Sequence, residues 1–323
     1  MINRHDFQQA ARHFRSGRLS LSDFTERVFG PVAPDGQAAV EVAGYRFPQR
    51  KEDAHKGDLG RVLVVGGSVG MAGAAALTGQ AALRAGSGLV QVITPADAQG
   101  QVAGFSACLM VLPAATEGGF FGEASVEQIL QQCEWADVVA LGPGMGRTPA
   151  GQQIACQLYE ALPQPLVVDA DGLNNLADAR ADLSVHRGER ILTPHPGEFQ
   201  RLIEQTEHDR QTLETLAVEW AARQQLTLVL KGHRSLVTDG RQQTHNPTGN
   251  SGMATAGCGD VLTGIIAALW GQGLSPWEAS RTGCYLHGLA GDLAAGQASK
   301  MSLVAVDLLT MLPAAALQVE RGG

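Results

Sequence analysis

The residues with the plainest chemical potential lie in one stretch, Asn246-Pro-Thr-Gly-Asn250-Ser-Gly-Met-Ala-Thr255-Ala-Gly-Cys-Gly-Asp260. An apolar periodic run over residues 261–270 follows at once, so the stretch reads as a loop feeding a helix N-terminus. The unpaired amides and positive dipole end of such a helix hold an anion such as phosphate. Gly257 and Gly259 let that anion approach the backbone, with Cys258 between them contributing its own amide. Asp260 repels an anion at this spot, so phosphate binding alone does not account for it. A base that deprotonates a hydroxyl attacking phosphorus does. The structural alternative is a glycine-rich turn with Asp260 as an ordinary helix cap.

Such a loop needs a scaffold, and the chain shows one from Arg61 onward. Apolar strand signals fall at residues 62–65, 89–93, 108–112, 138–141, 166–168, 191–192 and 226–230. Several show little alternation, as strands buried on both faces require. Helical candidates intervene at residues 72–85, 126–133, 150–162, 172–177 and 210–224. The pattern predicts an α/β fold with a mostly parallel central sheet and helices on both faces. Two short runs, residues 235–238 and 242–245, flank Asp239-Gly240 as a hairpin that leads into the opening stretch. Helices at 261–270, 276–295 and 305–315 complete the pattern. Short helices before residue 30 and a strand over 38–45 make residues 1–55 an N-terminal extension to a domain spanning 56–323.

In open parallel sheets, ligands bind beyond the carboxyl ends of the strands. The residues found there form a set: Gly66-Gly-Ser68 through Ala74, Gly142-Pro-Gly144-Met-Gly146, Asp169-Ala-Asp171, Thr193-Pro-His195-Pro-Gly197-Glu198 and Lys231-Gly-His233. Each has an ordinary reading as turn, cap, surface histidine or strand-end lysine. Five consecutive strand ends together favour a site. No Gly-Lys pair occurs, which excludes a Walker A loop, and there is no Gly-x-Ser-x-Gly elbow or His-Glu-x-x-His pair.

Composition narrows the field. With 44% hydrophobic and 17% charged residues the chain is that of a compact protein, and 40 glycines imply many tight turns and backbone-lined sites. A formal net charge of -8 argues against a nucleic-acid surface. No apolar run is long enough for a bilayer, and no signal peptide is apparent, so a cytoplasmic protein without membrane partners is expected. Five cysteines without a Cys-x-x-Cys pair read as reduced thiols. Cys284 and His287 have metal-like spacing, but core packing on one helix face is the expected role.

These blocks together carry a resemblance. Lys56-Gly-Asp-Leu-Gly60, Gly66-Gly67-Ser68, Gly142-Pro-Gly144-Met-Gly146, Thr193-Pro-His195-Pro-Gly197-Glu198 and the stretch from Asn246 to Asp260 resemble, in order, the ADP-dependent NAD(P)H-hydrate dehydratase family. The resemblance implies a ribokinase-like fold and repair of hydrated NADH or NADPH (NADHX and NADPHX, S epimer), with ADP as phosphate donor and AMP and phosphate as by-products. It implies substrate contacts from Ala74, the Gly144 to Gly146 turn, His195 and Asp260. It also implies that Lys231, Gly232, His233, Arg234, Ser235 and Gly259 hold the adenine nucleotide. Mg²⁺ is expected to accompany the phosphates, with Glu198 as a contact through water, and a homo-oligomer is expected. Two positions depart from the usual pattern: Cys258 stands where a threonine is common, and Ser251 where a proline is. The first puts the affinity for nucleotide in question, because a thiol replaces a hydroxyl donor. The 55-residue extension is too short for the epimerase domain often fused in front.

Two rivals remain open at this stage. One is a kinase of the same fold that transfers the γ-phosphate of ATP to a vitamin alcohol. The other is a non-catalytic nucleotide sensor, which retention of both Asp260 and the lysine strand end disfavours.

Overall fold

The computed structural model describes residues 44–321 apart from Gln49 and His208. The chain runs β1 (Arg61–Val65), α1 (Ala72–Arg84), β2 (Leu89–Pro95), α2 (Ala96–Phe105) and β3 (Met110–Ala114). A small pair, β4 (Thr116–Glu117) and β5 (Phe120–Phe121), precedes α3 (Ser125–Cys133). Strand and helix then alternate through β6 (Val138–Leu141), α4 (Pro149–Ala161), β7 (Leu166–Val168), α5 (Asp171–Asp178), β8 (Arg190–Leu192) and α6 (Pro196–Leu202). After α7 (Arg210–Gln224) come β9 (Thr227–Leu230), β10 (Leu236–Thr238) and β11 (Gln243–His245). Helices α8 (Cys258–Gly271), α9 (Pro276–Gln297) and α10 (Ala305–Glu320) close the fold.

Among the described residues the main sheet has nine strands in the order β11-β10-β9-β8-β7-β6-β1-β2-β3. Strands β1 to β3 and β6 to β9 pair in parallel, while β10 and β11 add antiparallel edges. Alternate strand residues feed two cores. Val62, Val64, Val90, Val138, Val167 and Val229 face α1, α8, α9 and α10, whereas Leu63, Val65, Leu141, Val168 and Leu230 face α3, α4, α5 and α7. This is the expected three-layer arrangement, and complete burial of β6, β7 and β9 explains their unbroken apolar runs.

Because β1 pairs with both β2 and β6, the order of connection reverses between β1 and β6. A crevice opens at that point beyond the strand ends. The two loops there are knitted together: the Gly67 amide donates to the Pro143 carbonyl at 2.8 Å, and Ser68 Oγ donates to the Gly144 carbonyl at 2.8 Å. Helix α8 lies against α1 so closely that a Cβ on Gly264 would fall 2.1 Å from the Thr78 carbonyl oxygen. The backbone contact fixes where the α8 N-terminus points.

The structure departs from the expected element pattern in a few places. Helix α2 was not expected, because Gly100 and Gly104 dilute its pattern and only Ala98 and Val102 are buried. Helix α6 hides behind Pro194 and Pro196, yet Pro196 occupies the first helical position, where its missing N–H is harmless. Strands β4 and β5 were likewise unforeseen, being two residues each. The third strand starts at Met110, not at Cys108, and α10 continues through Pro313 beyond its expected end. The short helices expected before residue 30 lie outside the described residues, as does all but the end of the strand expected over 38–45. Gly44, Tyr45 and Arg46 dock on α9: Arg281 and Thr282 donate to the carbonyls of Gly44 and Arg46, and Tyr45 stacks on Tyr285.

Candidate active site

Helix α8 begins at Gly257, whose φ of +90° is strained for any other residue and turns the chain into the helix without a side-chain cap. The amides of Cys258, Gly259 and Asp260 are therefore left with no intrahelical partner. Asp260 sits in the first turn and does not cap it, which removes the ordinary-cap reading. Among the described residues its carboxylate has no hydrogen-bond partner. Burial pushes its pKa to about 7, helped by the charges of Asp169, Asp171 and Glu198 and opposed by Lys231. Desolvation and like charge both disfavour the ionised form, so the group becomes a stronger base than a free carboxylate.

Two hollows meet beside Asp260. One, of about 510 Å³, is lined by Asp169, His195, Lys231 and the segment from Met253 to Asp260. The other, of about 550 Å³, is lined by Lys231, Gly232, His233, Arg234 and Ser235 on one side, by Asn246, Thr248 and Asn250 on another, and by Cys258, Gly259 and His287. Lys231, Cys258 and Gly259 border both. The expected nucleotide residues are thus brought together on one cavity except Gly257, which lines only the hollow beside it, and Asp260 stands at the junction of the two. A larger cavity of about 660 Å³ lies at the other end of the sheet, by the starts of β8, β9 and α9, away from these residues.

Helix α9 builds much of the wall. Asn246 Nδ2 donates to the Cys284 carbonyl at 3.0 Å, Thr248 Oγ1 to the Tyr285 carbonyl at 2.9 Å, and Asn250 Nδ2 to Asp292 at 2.9 Å. His287 lies 2.9 Å from the Cys258 carbonyl through Nε2, which must therefore carry the proton. Burial lowers the His287 pKa to about 4, so the ring is neutral. Cys284 is buried in the core, as its helical spacing implied, and among the described residues no group of three or more His, Cys, Asp or Glu side chains is arranged to hold a metal. The Cys258 thiol is also buried, which pushes its pKa to about 11 and keeps it protonated at neutral pH.

His195 caps α6. Its Nδ1 accepts from the amides of Gly197 at 3.0 Å and Glu198 at 3.3 Å, while the His195 amide donates to Glu198 Oε2 at 2.7 Å. With Nδ1 accepting, the proton sits on Nε2, 3.3 Å from Glu198 Oε1, and burial holds the ring pKa below its usual value. His195 is thus a neutral donor that lines the hollow beside Asp260.

Ala74 and Gly144 touch: a Cβ on Gly144 would fall 3.0 Å from Ala74 Cβ and 2.5 Å from the Met71 carbonyl oxygen. Neither lines the hollow of His195 and Asp260. The connection runs through Asp171, which accepts the Gly146 amide at 3.0 Å and also raises the Asp260 pKa. Asp169 was expected at a strand end without a defined role, and Thr263 was given none. Lys231 Nζ lies 2.6 Å from Asp169 Oδ1, and Thr263 Oγ1 donates to Asp169 Oδ2 at 2.7 Å. The signals were a carboxylate directly after the β7 run and a hydroxyl one turn past Asp260.

A parallel α/β sheet with an uncapped glycine-flanked helix N-terminus and a carboxylate in its first turn is the architecture of the ribokinase-like proteins. A ribokinase-like superfamily protein from Enterococcus faecalis aligns with a TM-score of 0.72 and 29% identity, over 84% of this chain and 92% of that one. The sequence profile of NAD(P)H-hydrate dehydratase matches residues 62–314, and the chain belongs to that family. It is 44% identical to the bifunctional NAD(P)H-hydrate repair enzyme Nnr of Moorella thermoacetica, over 83% of this chain and 51% of that protein. To the Escherichia coli enzyme of the same name it is 39% identical over 85% and 51%. The chain thus spans about half the length of the curated relatives it matches. The ADP/ATP-dependent NAD(P)H-hydrate dehydratase of Bacillus subtilis, co-crystallised with ATP and Mg²⁺, aligns with a TM-score of 0.72 and 28% identity, over 84% of this chain and 94% of that one.

Proposed function

We propose that this chain dehydrates the S epimers of hydrated NADH and NADPH, using ADP and releasing AMP and phosphate. The carrying observation is Asp260: an unpaired, half-buried carboxylate raised to about 7, at the head of an uncapped helix and at the junction of two hollows. Hydroxide is a poor leaving group, so phosphorylation of the ring hydroxyl makes elimination feasible. Asp260 takes the hydroxyl proton as the oxygen attacks the β-phosphorus, and the bond to AMP breaks. The free amides of Cys258, Gly259 and Asp260 bear the charge on the transferring phosphoryl group. The C–O bond then breaks with loss of phosphate, assisted by the ring nitrogen lone pair, and a carbon-bound proton leaves to restore the dihydropyridine. The hydrate would meet His195, which lines the hollow beside Asp260, and its further proposed contacts are Ala74 and the Gly144 to Gly146 turn, which lie outside that hollow and connect to it through Asp171.

Mg²⁺, which keeps much of its water, would arrive on the nucleotide phosphates. When bound, it neutralises phosphate charge. Glu198 is buried, with one oxygen taking the His195 amide, and would meet such an ion through water.

The test is recovery of the near-ultraviolet absorbance of the reduced nicotinamide from its hydrate, with ADP, with ATP and with no nucleotide. Recovery only with nucleotide is expected. A stable phosphorylated vitamin alcohol with no recovery would instead establish the kinase reading, and nucleotide binding without turnover would establish the sensor.

A further inference from the structure

Asp169 is the most deeply buried carboxylate near the site, 1% exposed, and it bridges two elements that meet only in three dimensions. Its Oδ1 holds the Lys231 ammonium at the end of β9 at 2.6 Å, and its Oδ2 accepts from Thr263 of α8 at 2.7 Å. Thr263 Oγ1 lies in addition 3.2 Å from the Gly259 carbonyl, inside the first turn that carries Asp260. Lys231 is close to that turn too: a Cβ on Gly259 would fall 3.3 Å from Nζ. The lysine is therefore within easy reach of Asp260, yet it is occupied by Asp169, with Glu198 a weaker partner at 3.8 Å. The result is a buried lysine that neutralises one carboxylate and leaves the next free.

We propose that Asp169 is a positioning residue for proton abstraction: by bridging Thr263 and Lys231 it keeps the ammonium off Asp260, leaving that carboxylate unpaired and able to accept the substrate's hydroxyl proton. The proposal rests on the reading of Asp260 as the base. The alternative arrangement is a Lys231–Asp260 ion pair, in which the base is already committed and its basicity is lost. The charged groups acting on Asp260 are Asp169 of the β7 end, Asp171 of α5, Glu198 of α6 and Lys231 of β9. Of these only Lys231 favours the ionised form, so its placement sets the balance. Thr263 fixes the Asp169 carboxylate in the orientation that serves the lysine and ties that carboxylate to the α8 first turn.

The experiment compares wild type, Asp169→Asn, Thr263→Val and Thr263→Ser, each first checked for native circular dichroism. Two measurements are made: the pH profile of kcat with ADP and hydrated NADH, and the titration of Asp260 in the ligand-free protein by carboxyl-carbon NMR, assigned by Asp260→Asn. In Asp169→Asn the lost carboxylate charge and the freed lysine both favour ionised Asp260, so both the acid limb and the Asp260 titration move to lower pH. The kcat plateau is expected to fall by about 10²-fold, the low end of what a general base contributes. Thr263→Val shows a smaller shift in the same direction, and Thr263→Ser restores wild-type behaviour. Loss of the Asp169 charge by itself lowers the Asp260 titration in Asp169→Asn, so Thr263→Val, which changes no charge, decides: a merely structural role lowers its activity without moving the titration, and an unmoved Asp260 titration in Thr263→Val overturns the proposal. If Asp169→Asn does not fold, the Thr263 pair decides alone. The NMR measurement needs no turnover: absence of dehydratase activity in wild type defeats the functional reading, while an unmoved titration defeats this one.

Discussion

Replacing Asp260 by asparagine separates two consequences of one buried charge. In its proposed role as base, Asp260 would contribute the 10²–10⁴-fold typical of a positioned general base, or about 3 to 5 kcal/mol of barrier. Asparagine keeps the shape and removes the proton acceptor, so kcat is expected to fall by that factor with KM for ADP little changed. As a buried carboxylate, the same group destabilises the fold. Its pKa rises from the ordinary 3.8 to about 7, which at 1.36 kcal/mol per tenfold change in proton affinity corresponds to about 4 kcal/mol. The folded pKa lies above the unfolded one, so the penalty is absent below pH ~4, grows as pH rises towards 7, and is complete above it. Asp260→Asn is therefore expected to be more stable than wild type at pH 8 by up to about 4 kcal/mol, with no difference at pH 4. Urea unfolding at the two pH values measures this gain, and steady-state dehydration with hydrated NADH measures the loss. In wild type, kcat/KM should rise tenfold per pH step on the acid side and level off near pH 7. A variant that keeps more than a tenth of wild-type kcat, or one no more stable at pH 8, refutes the assignment of a desolvated base at this position.

Cys258→Thr replaces a buried thiol by a hydroxyl at the rim of the nucleotide cavity. One added hydrogen bond of about 0.5–1.5 kcal/mol should lower KM for ADP by roughly 2- to 10-fold while kcat holds, and an unchanged KM means the side chain does not meet the nucleotide. Gly264→Ala places a methyl carbon 2.1 Å from the Thr78 carbonyl oxygen, so α8 must move off α1. A loss of about 3 kcal/mol is expected from overpacking, read as a fall in urea midpoint, together with reduced activity as the α8 N-terminus shifts.

Much of the site was legible in the sequence because its elements are local. The glycines around Cys258, the apolar helix after them and the carboxylate in its first turn occupy one continuous stretch, and the helix they predict is there. Strand ends were found the same way, since buried parallel strands leave short apolar runs and the next residue faces the crevice. His195 was correctly placed at such an end, although the helix it caps was obscured by two prolines. Helix α2 was missed for the opposite reason: two glycines in ten residues leave almost no periodic stripe.

What the sequence determined alone was therefore the type of scaffold and the place of an uncapped helix N-terminus with a carboxylate in its first turn. The tertiary structure decided the state of that acid. Thr263 and Asp169 are 94 residues apart, and Lys231 and Asp169 are 62 apart, yet each partner lies within 2.7 Å of the Asp169 carboxylate. Basicity in a buried site depends on desolvation and on which charges share it, and both are sums over groups that only the folded sheet brings together. No spacing rule along the chain records that Lys231 turns to Asp169 and leaves Asp260 unpaired.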